Sequence, residues 1–570
     1  MSAEAQITEA TKSPLDEINR TKTADTDTFE KGEIVEDATQ NSAWAQYGQT
    51  KRGLSPRHVQ LMAIGGSIGT GLFVGIGGSL IRAGPLSLVL GYLFYGFMFI
   101  WPCYLYVAEI CAYLPVRGTI YELASRFVDP ALGFAMGWTY FYGGVMLVCT
   151  EYSAVAAVME FWNVGVNPAV WIAMCLVVCT FLNIVAVRWY GETEFVFAST
   201  KLLLLIGLIL LTFITMVGGN PRNDAYGFRY WKHGNAMHPY YTTGNTGRFL
   251  GWWSVVRYAA FTTSGPDMLA VSSGEIQNPR HTIPRVAKLI FYRLVGFYVI
   301  GVLCVGIICS SRDAGLINAI ENGASGAAAS PWVIGIQNLS ISGLPGLINV
   351  LILLSGWSCG NAYLYATSRT LYSMARDHHA PKIFAKCTKG GVPIYAVLTI
   401  SLLSCLTFLV ASNAAIQVFY WFVNLTTIAY LLVYCGMLWT FLGWYNATKA
   451  QGLDRRALPY RAPLAPYGAY LALTIGALII FFIGYDSIVP WSTQGFITSY
   501  FGGAYTLVAF LLWKFGKGTK FTKSSEADLY SGKSDIDREC RHWEEGGLEE
   551  ARRARLANMN IFRRTWERMW

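Results

Sequence analysis

From about residue 55 to residue 515 the chain alternates long apolar runs with short polar stretches. A run of about 18 or more residues with few charges is long enough to cross a bilayer as a helix. The pattern predicts twelve spans, at 59–80, 86–108, 131–161, 168–187, 195–217, 250–272, 287–309, 344–370, 393–411, 415–438, 467–485 and 498–515. The third and eighth are long enough to tilt or to extend beyond the hydrocarbon. The expected fold class is therefore an all-α integral membrane protein. Its parts are a polar segment 1–50, a membrane domain 51–515 and a charged segment 516–570.

Composition agrees with the pattern. Hydrophobic residues make up 53% and charged residues 14%, against about 25% charged in a soluble domain. Repeated runs also exclude a lone signal peptide. The net charge of +9 does not point to nucleic acid, because basic residues of membrane proteins mark cytoplasmic loops. Here they cluster before span 1 and after spans 2, 4, 6, 8, 10 and 12, for example Arg57, Arg126, Arg188, Arg280, Arg376, Arg455 and Lys514. Loops after spans 3, 9 and 11 have almost none. Both termini are thus expected in the cytoplasm. The 218–249 loop, with Arg222, Arg229, Lys232 and Arg248, is expected to be a structured external loop. Most of the twelve cysteines sit inside apolar runs and read as small hydrophobes. No Cys or His grouping has zinc spacing. No catalytic constellation and no phosphate-binding GxxxxGK[ST] motif is present, so neither an enzyme, an ATP-driven pump nor a cofactor is expected.

Two spans are interrupted. Span 1 contains Gly65-Gly66-Ser67-Ile68-Gly69-Thr70-Gly71. Glycine is costly inside a helix and permits close backbone approach. Helix packing through small residues is one explanation. The other is an unwound stretch facing a cavity, the only place where broken backbone is tolerated in a bilayer. Span 6 contains Phe261-Thr262-Thr263-Ser264-Gly265-Pro266-Asp267, and proline there removes a backbone donor. Broken helices five spans apart point to a transporter with an inverted repeat and a ligand near the midplane. A broken helix offers N–H groups at one new end and carbonyls at the other. A zwitterionic α-amino acid fits both, whereas a sugar carries no charge for them to read.

Charged groups in a span are expensive and usually functional. Glu151 lies in mid span 3, Lys201 early in span 5, and Asp267 just beyond the span 6 break. The alternative for all three is a static buried pair between helices. Glu109 ends span 2 at an interfacial position, and Arg257 lies within reach of the external surface.

These motifs resemble the fungal amino acid permeases of the amino acid–polyamine–organocation superfamily. The resemblance covers about residues 50–520. It runs from Leu54–Leu61 into GGSIGTGLFVGIG, then through GPLSLVLGY (84–92), AEICAYLPVRGTI (108–120), RFVDPALGFAMGW (126–138), FVFASTK (195–201), SSGEIQNPRHTIPR (272–285) and SRTLYSMARDHHAP (368–381). It implies twelve helices, the first ten forming two inverted halves of five, and proton-coupled uptake of amino acids at the plasma membrane. It also implies that backbone around Ser67, Ile68, Gly69, Thr70 and Gly71 holds the substrate carboxylate. Carbonyls near Ile64 and Phe261 would meet the ammonium, with Phe261 closing over the substrate beside Thr262, Gly265 and Asp267. Lys201 matches a span 5 lysine tied to proton coupling in some relatives, whereas Glu151 is a candidate for that role by its depth, where a carboxylate is costly unless protonated or paired. Many members have Gly-Thr-Glu at Gly265-Pro266-Asp267, proline at Cys149 and an aromatic at Thr263. These departures leave open a general, proline-type, carnitine or polyamine substrate, and a nutrient sensor with the same fold.

The tails add partners. Residues 1–50 have the composition of a disordered segment, and the resemblance makes Lys12, Lys22 and Lys31 candidate ubiquitin acceptors. In 547–570, Leu556, Met559, Phe562 and Trp566 recur at helical spacing among arginines. That suits an amphipathic helix on anionic lipid or one packed on the membrane domain. The sequon at Asn338 is expected outside, and that at Asn424 lies within a span.

Overall fold

A computed structural model describes residues 68–545 apart from 117, 163–164, 186, 233, 277, 322–329 and 389–390, together with 554–555 and 559–560. Ile64, Ser67, Lys12, Lys22, Lys31 and nearly all of 547–570 lie outside the described residues. Among those described, every regular element is helical apart from a lone bridge residue.

The helices are α1 Ile76–Ala83, α2 Pro85–Tyr113, α3 Thr119–Phe127, α4 Pro130–Met159, α5 Pro168–Val185, α6 Val187–Met216, α7 Gly244–Thr262, α8 Pro266–Ser272 and α9 Pro279–Arg293. They continue as α10 Ile300–Ile308, α11 Ala314–Glu321, α12 Pro331–Asn338, α13 Leu344–Arg376, α14 Ile394–Leu403, α15 Ala415–Ala450, α16 Tyr467–Phe481, α17 Thr493–Lys517 and α18 Lys533–Glu545. Proline opens α2, α4, α5, α8, α9 and α12, where its fixed φ suits the first turn and its missing N–H costs nothing. Asp129 caps α4 by accepting from the Ala131 N–H at 2.8 Å, and Gly518, with φ 61°, ends α17.

Nine helices among the described residues are long and apolar enough to cross a membrane. The other three expected spans are the discontinuous ones. Span 1 is described only from residue 68 onward, span 6 is split into α7 and α8, and span 7 passes from α9 to α10 through a π-helical turn at Leu294–Val299. α15 outruns its expected end at 438. Its 36 residues give a length of about 54 Å, well beyond a hydrocarbon core of about 30 Å.

α4 and α15 form the core, with 83% of their most apolar windows buried, against 22% for α5 and 17% for α17. α4 packs against α13, α15, α17 and α3. The outer helices turn Val177, Leu203, Leu512 and Phe515 outward, an apolar surface suited to lipid. All twelve cysteines are free thiols, most of them buried. The 218–249 loop is structured, as expected. His238 N–H donates to the Ala83 carbonyl at 2.9 Å, and Leu86 N–H donates to Ala236 at 2.9 Å.

Segment 519–545 is folded against one face of the bundle. Thr522 N–H donates to the Val128 carbonyl at 2.8 Å, Arg126 donates to the Ser531 carbonyl at 3.0 Å, and Tyr113 donates to the Leu529 carbonyl at 3.1 Å. Gln451, just past α15, donates to the carbonyls of Ser524 and Ala527. Arg280 and Lys533 both pair with Asp537. Burial pushes the Asp537 carboxyl up, but these two cations outweigh it and hold it below the ordinary carboxylate range. Asp129 joins the set, pairing with Lys514 and accepting from Thr519 Oγ1 at 2.9 Å. One fully buried carboxylate thus caps α4 and anchors the end of α17. Asp129→Ala should lower the stability of the detergent-purified protein by about 2–4 kcal/mol, read as a lower thermal midpoint, with Asp129→Asn recovering part of it. An unchanged midpoint in Asp129→Ala would contradict this anchoring.

Candidate substrate and coupling site

Breaking a helix inside a membrane frees backbone groups that need partners. The freed carbonyls of span 1 find them in side chains from elsewhere. Ser355 donates to Ile68 O at 3.4 Å, Tyr258 to Gly71 O at 2.8 Å and Trp332 to Leu72 O at 3.3 Å. Ser330 donates to Phe73 O at 2.6 Å and Tyr420 to Gly75 O at 3.0 Å. Gly69 has extended backbone, and a turn of helix follows at Thr70–Leu72.

The first N–H of that turn holds a carboxylate supplied by the protein. Thr70 N–H donates to Glu151 Oε2 at 3.2 Å and to Oε1 at 3.4 Å, and Thr70 Oγ1 donates to Oε2 at 2.9 Å. Glycine at 69 is what allows this approach, since a Cβ there would lie 2.0 Å from Glu151 Oε1. Glu151 and Lys201 are each 1% exposed, and Lys201 lies within electrostatic reach of Glu151. α4 and α6 therefore bring the two intramembrane charges to the span 1 break.

At the second break, Gly265 takes φ 129°, a conformation strained for any residue with a Cβ. Its N–H donates to Asp267 Oδ1 at 3.2 Å. Tyr434 donates to Oδ1 at 2.9 Å, and Tyr140 to Oδ2 at 3.4 Å. Asp267 thus closes the start of α8, held by neutral donors, and does not line the pocket between the breaks.

That pocket has Gly69, Gly71, Leu72, Phe261, Thr262 and Ser264 on the side of the breaks. Opposite stand Leu147, Glu151, Cys359, Tyr363, Thr426 and Tyr430. The space between them has room for about one or two water molecules, so an amino acid enters only when a wall moves. Phe261 stands against Gly71, where a Cβ would meet its ring at 2.8 Å. Thr262 is tied to Tyr92, with the hydroxyls 2.7 Å apart. Of the twelve lining residues, Gly69, Gly71, Glu151, Phe261 and Thr262 are legible from the sequence as site residues. Tyr363, Thr426 and Tyr430 are not, because α13 and α15 carry no interruption there. The small residues Gly356, Cys359 and Gly360, one to two turns before Tyr363, were the available signal.

Two further charges differ from their expected surroundings. Glu109 is not a solvated interfacial group. It accepts from Arg455 at 2.6 Å and 2.8 Å and from the Ala462 N–H at 2.9 Å, fixing the α15–α16 loop to α2. Arg257 does not reach out to solvent. It pairs with Asp486 at 2.8 Å, with only 11% of its side chain exposed.

Comparison with known proteins decides the family. The model of the family described as amino acid permease matches residues 58–526. The chain belongs to the amino acid permease family. It is 40% identical to a proline-specific permease of Emericella nidulans over 501 residues, covering 87% of this chain and 90% of that protein. A probable proline-specific permease of Schizosaccharomyces pombe is 43% identical over 483 residues, 83% of this chain and 86% of the relative. A dicarboxylic amino acid permease of Saccharomyces cerevisiae is 36% identical over 523 residues, 90% and 85% of the two chains. This permease is thus a multi-pass membrane transporter of amino acids and not an enzyme.

Proposed function

We propose that this permease is a proton symporter that carries amino acids into the cell across the plasma membrane, with both termini cytoplasmic. The observation that carries this reading is the Glu151 carboxylate on Thr70 N–H and Oγ1. The seat expected for a substrate carboxylate is filled by the protein's own carboxylate. Two anions cannot share one N–H. A proton on Glu151 removes its charge and weakens its hold on Thr70, leaving the N–H to the substrate. In this reading Lys201, within electrostatic reach of Glu151, exchanges that proton or steadies the carboxylate between turnovers. Orientation is supported by Arg126, Arg280, Arg455 and Lys514, which gather on the face that also binds segment 519–545.

The relatives named for proline and for dicarboxylic amino acids do not agree on a substrate. The pocket narrows the choice. Glu151 is the only charged residue among the described residues lining it. No described lining residue is a cation that could pair with the second carboxylate of a dicarboxylic substrate, so neutral amino acids are favoured. The test is uptake of labelled proline in cells lacking their own permeases, competed by all common amino acids, GABA, carnitine and spermidine. Binding or signalling without accumulation would instead make the protein a sensor. Phe261→Ala should weaken half-saturation for the best substrate about 10-fold or more at unchanged surface abundance. If affinity holds and only abundance falls, Phe261 is ordinary packing.

A further inference from the structure

The tyrosines around the two breaks divide into two groups. Tyr92, Tyr104, Tyr258 and Tyr420 each spend their hydroxyl on Thr262, Ser264 or a span 1 carbonyl. Tyr140 and Tyr434 spend theirs on Asp267. Tyr363 and Tyr430 do neither. Both line the pocket, they are 0% and 4% exposed, and neither hydroxyl has a hydrogen-bond partner among the described residues. Their rings meet edge-on at 6.0 Å, and the two hydroxyls are near enough to turn toward each other without meeting hydrogen-bond geometry. Tyr95 and Tyr142 also carry unpartnered hydroxyls, but neither lines this pocket.

Buried hydroxyls are normally satisfied, and one left bare is costly. Packing explains the Tyr430 ring, which meets Tyr140 edge-on and Tyr434 at a tilt, and the Tyr363 ring packs on Tyr430, but phenylalanine would pack as well. Their position matters too. Tyr363 lies four residues beyond Cys359 and Tyr430 four beyond Thr426, one turn along the same helix faces. Cys359 stands beside Gly69, where an added Cβ would meet its sulfur at 3.2 Å. Thr426 meets Thr150, next to Glu151, with hydroxyls 3.2 Å apart. The pocket therefore has an ionic end at Gly69, Thr70 and Glu151, and a neutral hydroxyl end one turn away. A substrate whose charged groups occupy the first end presents its side chain to the second.

We infer that the hydroxyls of Tyr363 and Tyr430 form a subsite that hydrogen-bonds a neutral polar side chain of the transported amino acid. It gives hydroxyl- and amide-bearing substrates preference over isosteric aliphatic ones. This rests on the amino acid transport proposed above. Each phenol both donates and accepts, so the pair serves a side-chain hydroxyl or amide whichever way it points. Threonine and valine are the discriminating pair, matched in shape and differing by one hydroxyl.

The experiment measures competition by threonine and by valine against a labelled substrate, in the parent and in Tyr363→Phe, Tyr430→Phe and the double variant. The ratio of the two inhibition constants comes from a single preparation, so it does not depend on how much protein folds. The parent should favour threonine, and the double variant should lose about fivefold or more of that preference. Binding to detergent-purified protein, read as thermal shift with each amino acid, should follow the same order. A parent that treats threonine and valine alike overturns the subsite, as does a double variant with an unchanged ratio. If uptake of other amino acids persists in either case, the transport reading stands. If no amino acid competes or accumulates, both readings fall.

Discussion

Gly69→Ala should abolish uptake while the protein still reaches the cell surface. The added methyl would lie 2.0 Å from Glu151 Oε1, 3.0 Å from its carboxyl carbon and 3.2 Å from Cys359 Sγ. No rotation of the methyl relieves this, because Cβ is fixed to the backbone. Either Glu151 leaves Thr70 or the break shifts by about an ångström, and displacement of that size at a working site costs about 100-fold. The backbone at 69 is extended and not left-handed, so alanine suffers from crowding and not from its own φ/ψ. That separates this site from Gly265, where φ is 129° and any substitution also strains the chain. The measurement is initial uptake alongside surface labelling. Normal kinetics at normal abundance would remove the span 1 break from the substrate site.

Glu151→Gln and Lys201→Met should each abolish accumulation against a gradient, and at least one should retain substrate binding or downhill exchange. A zwitterion carries no net charge, so the membrane potential acts only on a co-transported cation. Each such charge gains about 2.3 kcal/mol per 100 mV, equivalent to about 40-fold accumulation. Glutamine keeps an acceptor for Thr70 N–H and Oγ1 but cannot take up and release a proton at neutral pH. It should therefore leave the pocket folded and uncouple it. Vesicles under an imposed pH gradient, with and without sodium, give the readout. Accumulation that follows sodium and ignores pH would refute the proton mechanism, as would variants that still concentrate substrate.

What the sequence made legible follows from what is expensive in a bilayer. Glycine at 69 and 71, Gly265-Pro266, Glu151 and Lys201 all stand out because an apolar helix has no ordinary use for them. Partnerships were less visible. Thr70 and Glu151 are 81 residues apart, Glu109 and Arg455 are 346 apart, and Arg257 and Asp486 are 229 apart. No local pattern links such residues, so Arg257 looked free to reach solvent and Thr70 looked free to bind a ligand. Tyr363 and Tyr430 were hidden for another reason. An aromatic residue in a long apolar helix is ordinary, and only the missing partner of its hydroxyl sets it apart. The π-helical turn in span 7 at Leu294–Val299 also left no signal, because such a turn needs no proline.

The docked segment 519–545 bears on the order in which the chain is made. Asp129 waits for Lys514 and Thr519, 385 and 390 residues later, and Arg126 waits for Ser531, 405 residues later. At about 5–20 residues per second, synthesis takes roughly 20–80 s to cover that distance. By the end of that interval the helices up to α16 can already be in the bilayer while the start of α4 still lacks its final partners. The rim laid down early is closed by residues made at and beyond the last helix of the bundle. A transcript truncated before residue 519 would therefore yield a chain with every span present and that rim still open, giving cellular quality control a feature by which to tell it from the finished protein.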